Sequence, residues 1–366
     1  MNGAESMLET LVNNGVEVCF SNPGTSEMHM VAAMGKTQAM RSILGLFEGV
    51  CSGAADGYGR MAGKPACTLL HLGPGLSNAS ANLHNALKAN SPVVNLIGDH
   101  AIYHKGYDAP LNSDVIGLSH PVSRWVRSVA GATDLPGDAA DAVVAANIHP
   151  GQIATLIVPA DCAWNESVDP VGAQQLPAAP RVSDGAVTGA AQLLGNGKST
   201  ILLMSNAALS ERCIELADQV CQATGARLFC DTFTARIPRG EGRCPVERLG
   251  YFAEQATEQI EGVEQLIMVG TKAPVAFFAY PGKASEFYPP GSTLHTLAEV
   301  SEDAEDALGK LVDELDAGRL VLRRQQLLKP GLATGTLSSE TVARAFTELM
   351  PTDAVVVDES ATAGFL

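Results

Sequence analysis

An α/β architecture of doubly wound parallel sheets is what this 366-residue sequence predicts, and three observations predict it. Hydrophobic residues make up 46% and charged residues 17%, with 36 Gly and 20 Pro, the balance of a globular protein whose turns are marked by glycine. Short apolar runs alternate with stretches of helical period, the pattern of parallel strands covered on both faces by helices. At roughly 100–200 residues per domain, the length asks for two or three units.

Element by element, Met7, Leu8, Leu11 and Val12 have helical spacing and Gly15 supplies the stop. VEVCF reads as a strand, followed by helix 26–36, strand 42–47, helix 49–62, strand 66–71, helix 76–88 and strand 93–97. A helix near 138–146 and the strand TLIVPAD (155–161) complete a first domain, 1–167. From 168 to 184, VDPVGAQQLPAAPRVSD loses periodicity and gains proline, which is linker composition. A second alternating set fills a domain at 183–329: a helix to 194, strand STILLMS, helix 209–223, strand ARLFCDT, helix 247–260, strands QLIMVGT and STLHTLAE, and helix 302–316. One more helix (340–349) and the strand AVVVDES follow KPGLATGTLSS. A lone helix and strand cannot bury a core of their own, so 336–366 reads as the opening of a third domain.

The formal charge is −16, and such a surface repels phosphate backbones and anionic lipid, which argues against nucleic acid and membrane as partners. Glu5 and Glu9 stand where a leader would be basic, and no stretch holds eighteen apolar residues, so the expected location is the cytoplasm. The eight cysteines form no CxxC pair and read as reduced, buried thiols.

Three segments carry chemistry. SNPGTSE (21–27) is a Pro-Gly turn between strand and helix; capping alone explains Thr25, Ser26 and Glu27, yet ligands of open α/β sheets also collect at such strand ends. In LFEGVCSGAADGYGRMAG (46–63), Glu48 follows an apolar strand and precedes Gly49, Cys51, Ser52, Gly53, Ala54 and Ala55, small residues that let another backbone approach. A carboxylate there is paired, protonated or employed, or it merely opens the helix, where the macrodipole favours an acid. In LLHLGPGLSNASANLHNA (69–86), Gly73 and Gly75 make a tight strand-to-helix turn beside His71, but Asn78 leaves GxGxxG incomplete, which argues against a dinucleotide. His71 is a catalytic candidate, or a hydrogen-bonded structural histidine. GNGKST (195–200) lacks the leading glycine of a Walker loop, and His100 and His104 lack the Glu of HExxH, so neither ATP nor zinc is expected.

Together NPGTSE (22–27), FEGVCSGAADGYGRMAGKPA (47–66) and LHLGPGLSNASANLHNALKANSPVVNLIGD (70–99) resemble the thiamine-diphosphate-dependent superfamily that includes acetolactate synthase, benzoylformate decarboxylase and related 2-oxo acid decarboxylases. The resemblance implies a pyrimidine-binding domain, a central Rossmann-like domain and a diphosphate-binding domain, of which only the start is present. The GDG motif with its downstream asparagine, which holds Mg²⁺ in relatives, is absent, so the metal ligands are unknown and this chain alone is expected to bind cofactor weakly and not to turn over. By the same resemblance Glu48 activates thiamine diphosphate through its aminopyrimidine, Pro23, Gly24 and Asn78 line the pyrimidine pocket, His71 is a catalytic histidine of the decarboxylase type, and Thr25 and Ser26 meet substrate. The substrate class is a 2-oxo acid, decarboxylated or ligated in acetolactate-synthase fashion or decarboxylated as in benzoylformate decarboxylase, by a homodimer or homotetramer. SNAA (205–208), where relatives often carry GGGA, counts against FAD. A non-catalytic binding or assembly module with the same fold is the reading of another class.

Overall fold

The computed structural model describes residues 1–360. In its first part the chain runs through α1 (Gly3–Asn13), β1 (Val18–Asn22), α2 (Met28–Lys36), β2 (Arg41–Leu44), α3 (Glu48–Ala62), β3 (Ala66–His71), α4 (Leu72–Lys88), β4 (Val93–Asp99), α5 (Val115–Ser119), β5 (Trp125–Ser128), α6 (Leu135–Ala146), β6 (Ile153–Pro159) and α7 (Ala160–Trp164). The six strands form one parallel sheet in the order β2-β1-β3-β4-β6-β5.

Period-two alternation sends Cys67 and Leu69 of β3 to one face and Ala66 and Leu70 to the other. Met7, Leu8 and Leu11 of α1 with Ala139, Ala142 and Val143 of α6 close over the first face, whereas Cys51 and Ala55 of α3 with Leu76, Ala79 and Leu83 of α4 close over the second. Strands β4 and β6 are buried along their whole length, which is why they read as continuous apolar runs. The edge strand β5, WVRS, is half-buried throughout and carries no such run, so the sequence pattern does not reveal it.

The second part holds α8 (Asp184–Leu194), β7 (Thr200–Met204), α9 (Glu211–Thr224), β8 (Arg227–Cys230), β9 (Glu247–Arg248), α10 (Ala253–Gln259), β10 (Gln265–Val269), β11 (Thr293–Ala298) and α11 (Ala304–Glu314). Its parallel sheet has the order β11-β10-β7-β8-β9. The helix expected over 247–260 begins only at Ala253, because Glu247 and Arg248 pair with Phe229 and Cys230 as a short edge strand. The segment between the two sheets has the composition of a linker but lies along α1: Ser6 Oγ donates to Val168 O at 2.8 Å and the Val171 N–H to Thr10 Oγ1 at 2.9 Å.

Residues 238–245 and 321–360 form a separate, smaller unit. It contains α12 (Ser339–Leu349), whose Ser338 side chain caps the Thr341 N–H and whose Val342, Phe346 and Leu349 are exposed. The strand expected at AVVVDES does not form: Val355, Val356 and Val357 are exposed and no strand pairs with them among the described residues, and a β-branched run is no strand without a neighbour. The eight cysteines are all buried, as expected. No helix of the described residues is long and apolar enough to cross a membrane.

Candidate active site

The first sheet reverses its strand order between β1 and β3, so the carboxyl ends of these strands diverge into connections on opposite faces and leave a crevice between them. Asn22, Pro23 and Gly24 leave β1 on one side of it, and His71 and Leu72 leave β3 on the other. The two turns touch. A Cβ at Gly24 would overlap the His71 ring, so glycine is the residue that lets the imidazole lie against this backbone. Leu72, the first residue of α4, has a positive φ (51°), rare for a branched side chain. The glycines read as a turn therefore sit inside the first turn of the helix. Gly73 there faces Ser113, and Gly75 faces the site.

Glu48 is the first residue of α3 and is buried. The small residues behind it bring α3 against α4: Ser52 Oγ donates to Ala79 O at 3.1 Å and Asn82 Nδ2 donates to Gly49 O at 2.6 Å. That approach delivers Asn78 to the carboxylate, where its Nδ2 donates to Glu48 Oε2 at 3.0 Å. A Cβ at Gly75 would stand 3.5 Å from Glu48 Oε1 and 3.5 Å from His71 Cβ, so this glycine lies between the two candidate catalytic side chains. Glu48, Asn78, His71 and Gly24 are thus brought together, with Pro23 joined to Gly24 by the chain. Thr25 is exposed and Ser26 half-buried in the 3-10 turn Thr25–Glu27, placed by adjacency to Gly24.

Glu27 completes the site, and it was legible only as a helix-opening acid. Its side chain is fully buried. Oε2 accepts from the Gly24 N–H at 2.7 Å and lies 2.7 Å from His71 Nδ1. Oε1 has no hydrogen-bond partner and nests on Gly98 of β4, where a Cβ would overlap it. Burial raises the Glu27 pKa above its ordinary value, opposed by the Gly24 N–H and by His71. When Glu27 is ionised its carboxylate only accepts, so His71 then donates from Nδ1 and Nε2 is the nitrogen left for proton transfer.

The AADGYGR motif has a different task. Asp56 takes both ends of the Arg60 guanidinium, Nε at 2.8 Å and NH2 at 2.6 Å, and accepts from Ser91 Oγ. Arg60 NH1 then reaches Ala235 O at 3.3 Å, beyond the second sheet's β8. The motif therefore bolts the two sheets together from the far end of the helix that Glu48 opens.

The chemistry of Glu48 beside Gly75 fits the aminopyrimidine of thiamine diphosphate: one carboxylate oxygen is held by Asn78 and the other lies beside Gly75, where no side chain intrudes. Among the described residues no group of three or more His, Cys, Asp or Glu side chains is placed to hold a metal ion. His100 and His104 lie with ring centres 5.6 Å apart and their planes tilted by 58°, and join no such group.

Residues 1–118 match the family model described as thiamine pyrophosphate enzyme, N-terminal TPP binding domain. The chain is 48% identical over its whole length to a Mycobacterium tuberculosis protein provisionally named acetolactate synthase large subunit IlvX, of which it spans 70%. It is 27% identical to benzoylformate decarboxylase of Pseudomonas aeruginosa across 96% of this chain and 70% of that one. The crystal structure of benzoylformate decarboxylase from Polynucleobacter necessarius superposes with a TM-score of 0.79 at 21% identity, covering 97% of this chain and 69% of that one.

Proposed function

Because this chain belongs to the thiamine pyrophosphate enzyme family, we propose that its first sheet holds the pyrimidine half of thiamine diphosphate against Glu48, and that the protein decarboxylates or ligates a 2-oxo acid. The observation that carries the reading is the buried Glu48 carboxylate at the strand-reversal crevice, with Oε2 fixed by Asn78 at 3.0 Å and Oε1 beside Gly75. When bound, the cofactor supplies the electron sink that a 2-oxo acid needs to lose carbon dioxide.

The chain's own residues supply the rest. Glu48 exchanges a proton at Oε1 with a ring nitrogen, and Asn78 keeps the carboxylate from rotating away. Pro23 and Gly24 form the wall opposite α4, and Thr25 and Ser26 lie at the rim for substrate. His71, held at Nδ1 by Glu27, moves a proton through Nε2, an effect of roughly 10²–10⁴-fold for a positioned acid or base. This arrangement favours decarboxylase-like proton transfer within an acetolactate-synthase-like chain. Mg²⁺ belongs to the proposal as the diphosphate's counter-ion, with no ligand assigned to it. The first sheet, within 1–167, is assigned to the pyrimidine and the second, within 183–329, to the central domain, with 238–245 and 321–360 a unit of their own, of which 336–360 is assigned to the diphosphate. Exposed Leu44, Leu46, Phe47 and Val50 around Glu48 support a second copy of the chain over the site, in a homodimer or homotetramer.

The test separates binding from turnover. Titration with 4-amino-5-hydroxymethyl-2-methylpyrimidine, the ring portion of the cofactor, is expected to shift NMR resonances of residues 48, 75 and 78 in the wild type. Glu48→Gln keeps the shape and loses the charge, and should weaken that binding roughly tenfold. Equal binding by the two proteins would remove Glu48 from its role. Pyruvate and benzoylformate are then offered with thiamine diphosphate and Mg²⁺; this chain alone is expected to release no carbon dioxide from either, and turnover would overturn the domain assignment.

A further inference from the structure

The second sheet also reverses its strand order, between β7 and β10, and a ligand of an open parallel sheet is expected at that point. The crevice there is shut. Gly270 at the end of β10 (φ 65°) approaches β7 so closely that a Cβ would stand 2.9 Å from Ser205 O and 3.2 Å from Ala208 Cβ. Asn206, itself left-handed (φ 51°), fills the turn after β7, donating from Nδ2 to Gly270 O at 2.9 Å and accepting at Oδ1 from Asn90 Nδ2 at 2.9 Å. SNAA has no glycine at which the backbone could take up a diphosphate. These residues do not fit FAD.

Beside the closed crevice lies a cavity of about 270 Å³, lined among others by Asp231, Phe233, Tyr251, Thr271, Phe277 and Phe287. Asp231 follows β8 and accepts from Thr271 Oγ1 at 2.6 Å and from the Ser205 hydroxyl. A carboxylate has about four acceptor positions, so two hydroxyl donors leave capacity for a ligand. The walls are aromatic: Phe233 lies 5.3 Å from Phe277 and 5.9 Å from Tyr251 between ring centres, and Tyr251 lies 5.6 Å from Phe277. Yet Phe233 is 63% and Phe277 59% exposed, a costly way to leave two phenyl rings. Small-molecule pockets hold roughly 300–1,000 Å³, so this volume lies at the small end and suits one or two fused rings. Burial raises the Asp231 pKa, and an N–H donor from a ligand would offset that cost.

We infer that this cavity binds a flat one- or two-ring heteroaromatic compound bearing an amino or amidine-type N–H donor, with its ring against Phe233 and Phe277 and its N–H on the Asp231 carboxylate. Lys272 also lines the cavity, so its charged groups are one carboxylate and one ammonium, and the cavity selects for a flat ring on the aromatic walls and an N–H donor on Asp231 rather than for net ligand charge.

The inference stands apart from the Glu48 site, and so does its test. Isothermal titration of the whole chain with 2-aminobenzimidazole is expected to show saturable one-to-one binding, with FAD giving none. Asp231→Asn, which keeps the side-chain shape, should weaken binding roughly 10- to 100-fold, the effect of losing a charge-assisted hydrogen bond. Phe277→Leu, at an exposed position, should weaken it several-fold; if Asp231→Asn melts without a cooperative transition, Phe277→Leu alone decides. Absence of saturable binding, unchanged affinity in either folded variant, or tighter binding of FAD than of 2-aminobenzimidazole would overturn the inference.

Discussion

At residue scale, Glu27 holds His71 at some cost to the fold. Its pKa is raised above 4.5 by burial, so the folded state favours the protonated form; the corresponding stability is complete below pH 4.5 and is lost as pH rises through the folded value. Once ionised, Glu27 is a desolvated anion whose Oε1 has no partner. Glu27→Gln removes that charge. Its stability relative to wild type is expected to improve as pH goes from 5 to 8, measured by urea unfolding at both values, and the same difference at both would show that the carboxylate does not titrate with folding. Proton transfer through His71 should fall by roughly 10²-fold in the same variant, because an amide orients the imidazole without stabilising its cation. Unaltered ¹⁵N shifts of the His71 ring and an unaltered pH profile of those shifts in that variant would reduce the Glu27–His71 contact to a structural one.

At the scale of an element, the β3–α4 junction concentrates the site. Extended backbone at His71, left-handed backbone at Leu72 and a helix that begins there place the last strand residue and the first helical turn within one crevice. Left-handed backbone at a non-glycine residue costs about 1–3 kcal/mol and persists where packing over-determines it; Leu72 is 1% exposed. Gly98 on the neighbouring β4 supplies the space for Glu27. Gly98→Ala is expected to destabilise the protein by about 1–3 kcal/mol and to push Glu27 off His71. Histidine ring ¹⁵N spectra would show this as loss of the Nδ1–H tautomer of His71; a preserved tautomer would mean that Glu27 is not confined by β4.

For the whole molecule, the Asp56–Arg60 pair couples the two sheets. Arg60 NH1 reaches Ala235 O at 3.3 Å, Arg236 NH1 returns to Met61 O at 3.2 Å, and Asn90 meets Asn206 at 2.9 Å. Asp56→Ala leaves Arg60 and Ser91 without their shared acceptor and should cost about 1–3 kcal/mol, since the pair is only partly buried and Arg60 keeps some access to water. Chemical unfolding is expected to separate into two transitions, one per sheet, as the coupling is lost. A single transition shifted by less than about 0.5 kcal/mol would place Asp56 among ordinary surface residues.

Local pattern by itself determined the alternating strands and helices, because fully buried parallel strands such as β4 and β6 are unbroken apolar runs that need no tertiary information to stand out. It also marked Glu48, since a carboxylate amid small residues is anomalous in any setting, and His71, since a polar residue ends an apolar strand. Edge elements were different: β5 and β9 have half-exposed or exposed residues, and AVVVDES has a strand's composition without a strand to pair with. Hydrogen bonding across a sheet edge depends on what lies alongside, and no window of sequence contains that. For the same reason Glu27 was read as a helix-opening acid: its partners, His71 and Gly98, are 44 and 71 positions away and meet it only because the strand order reverses between β1 and β3. Residue type determined which groups could do chemistry; topology decided which of them share a crevice, because burial and proximity are properties of the folded chain.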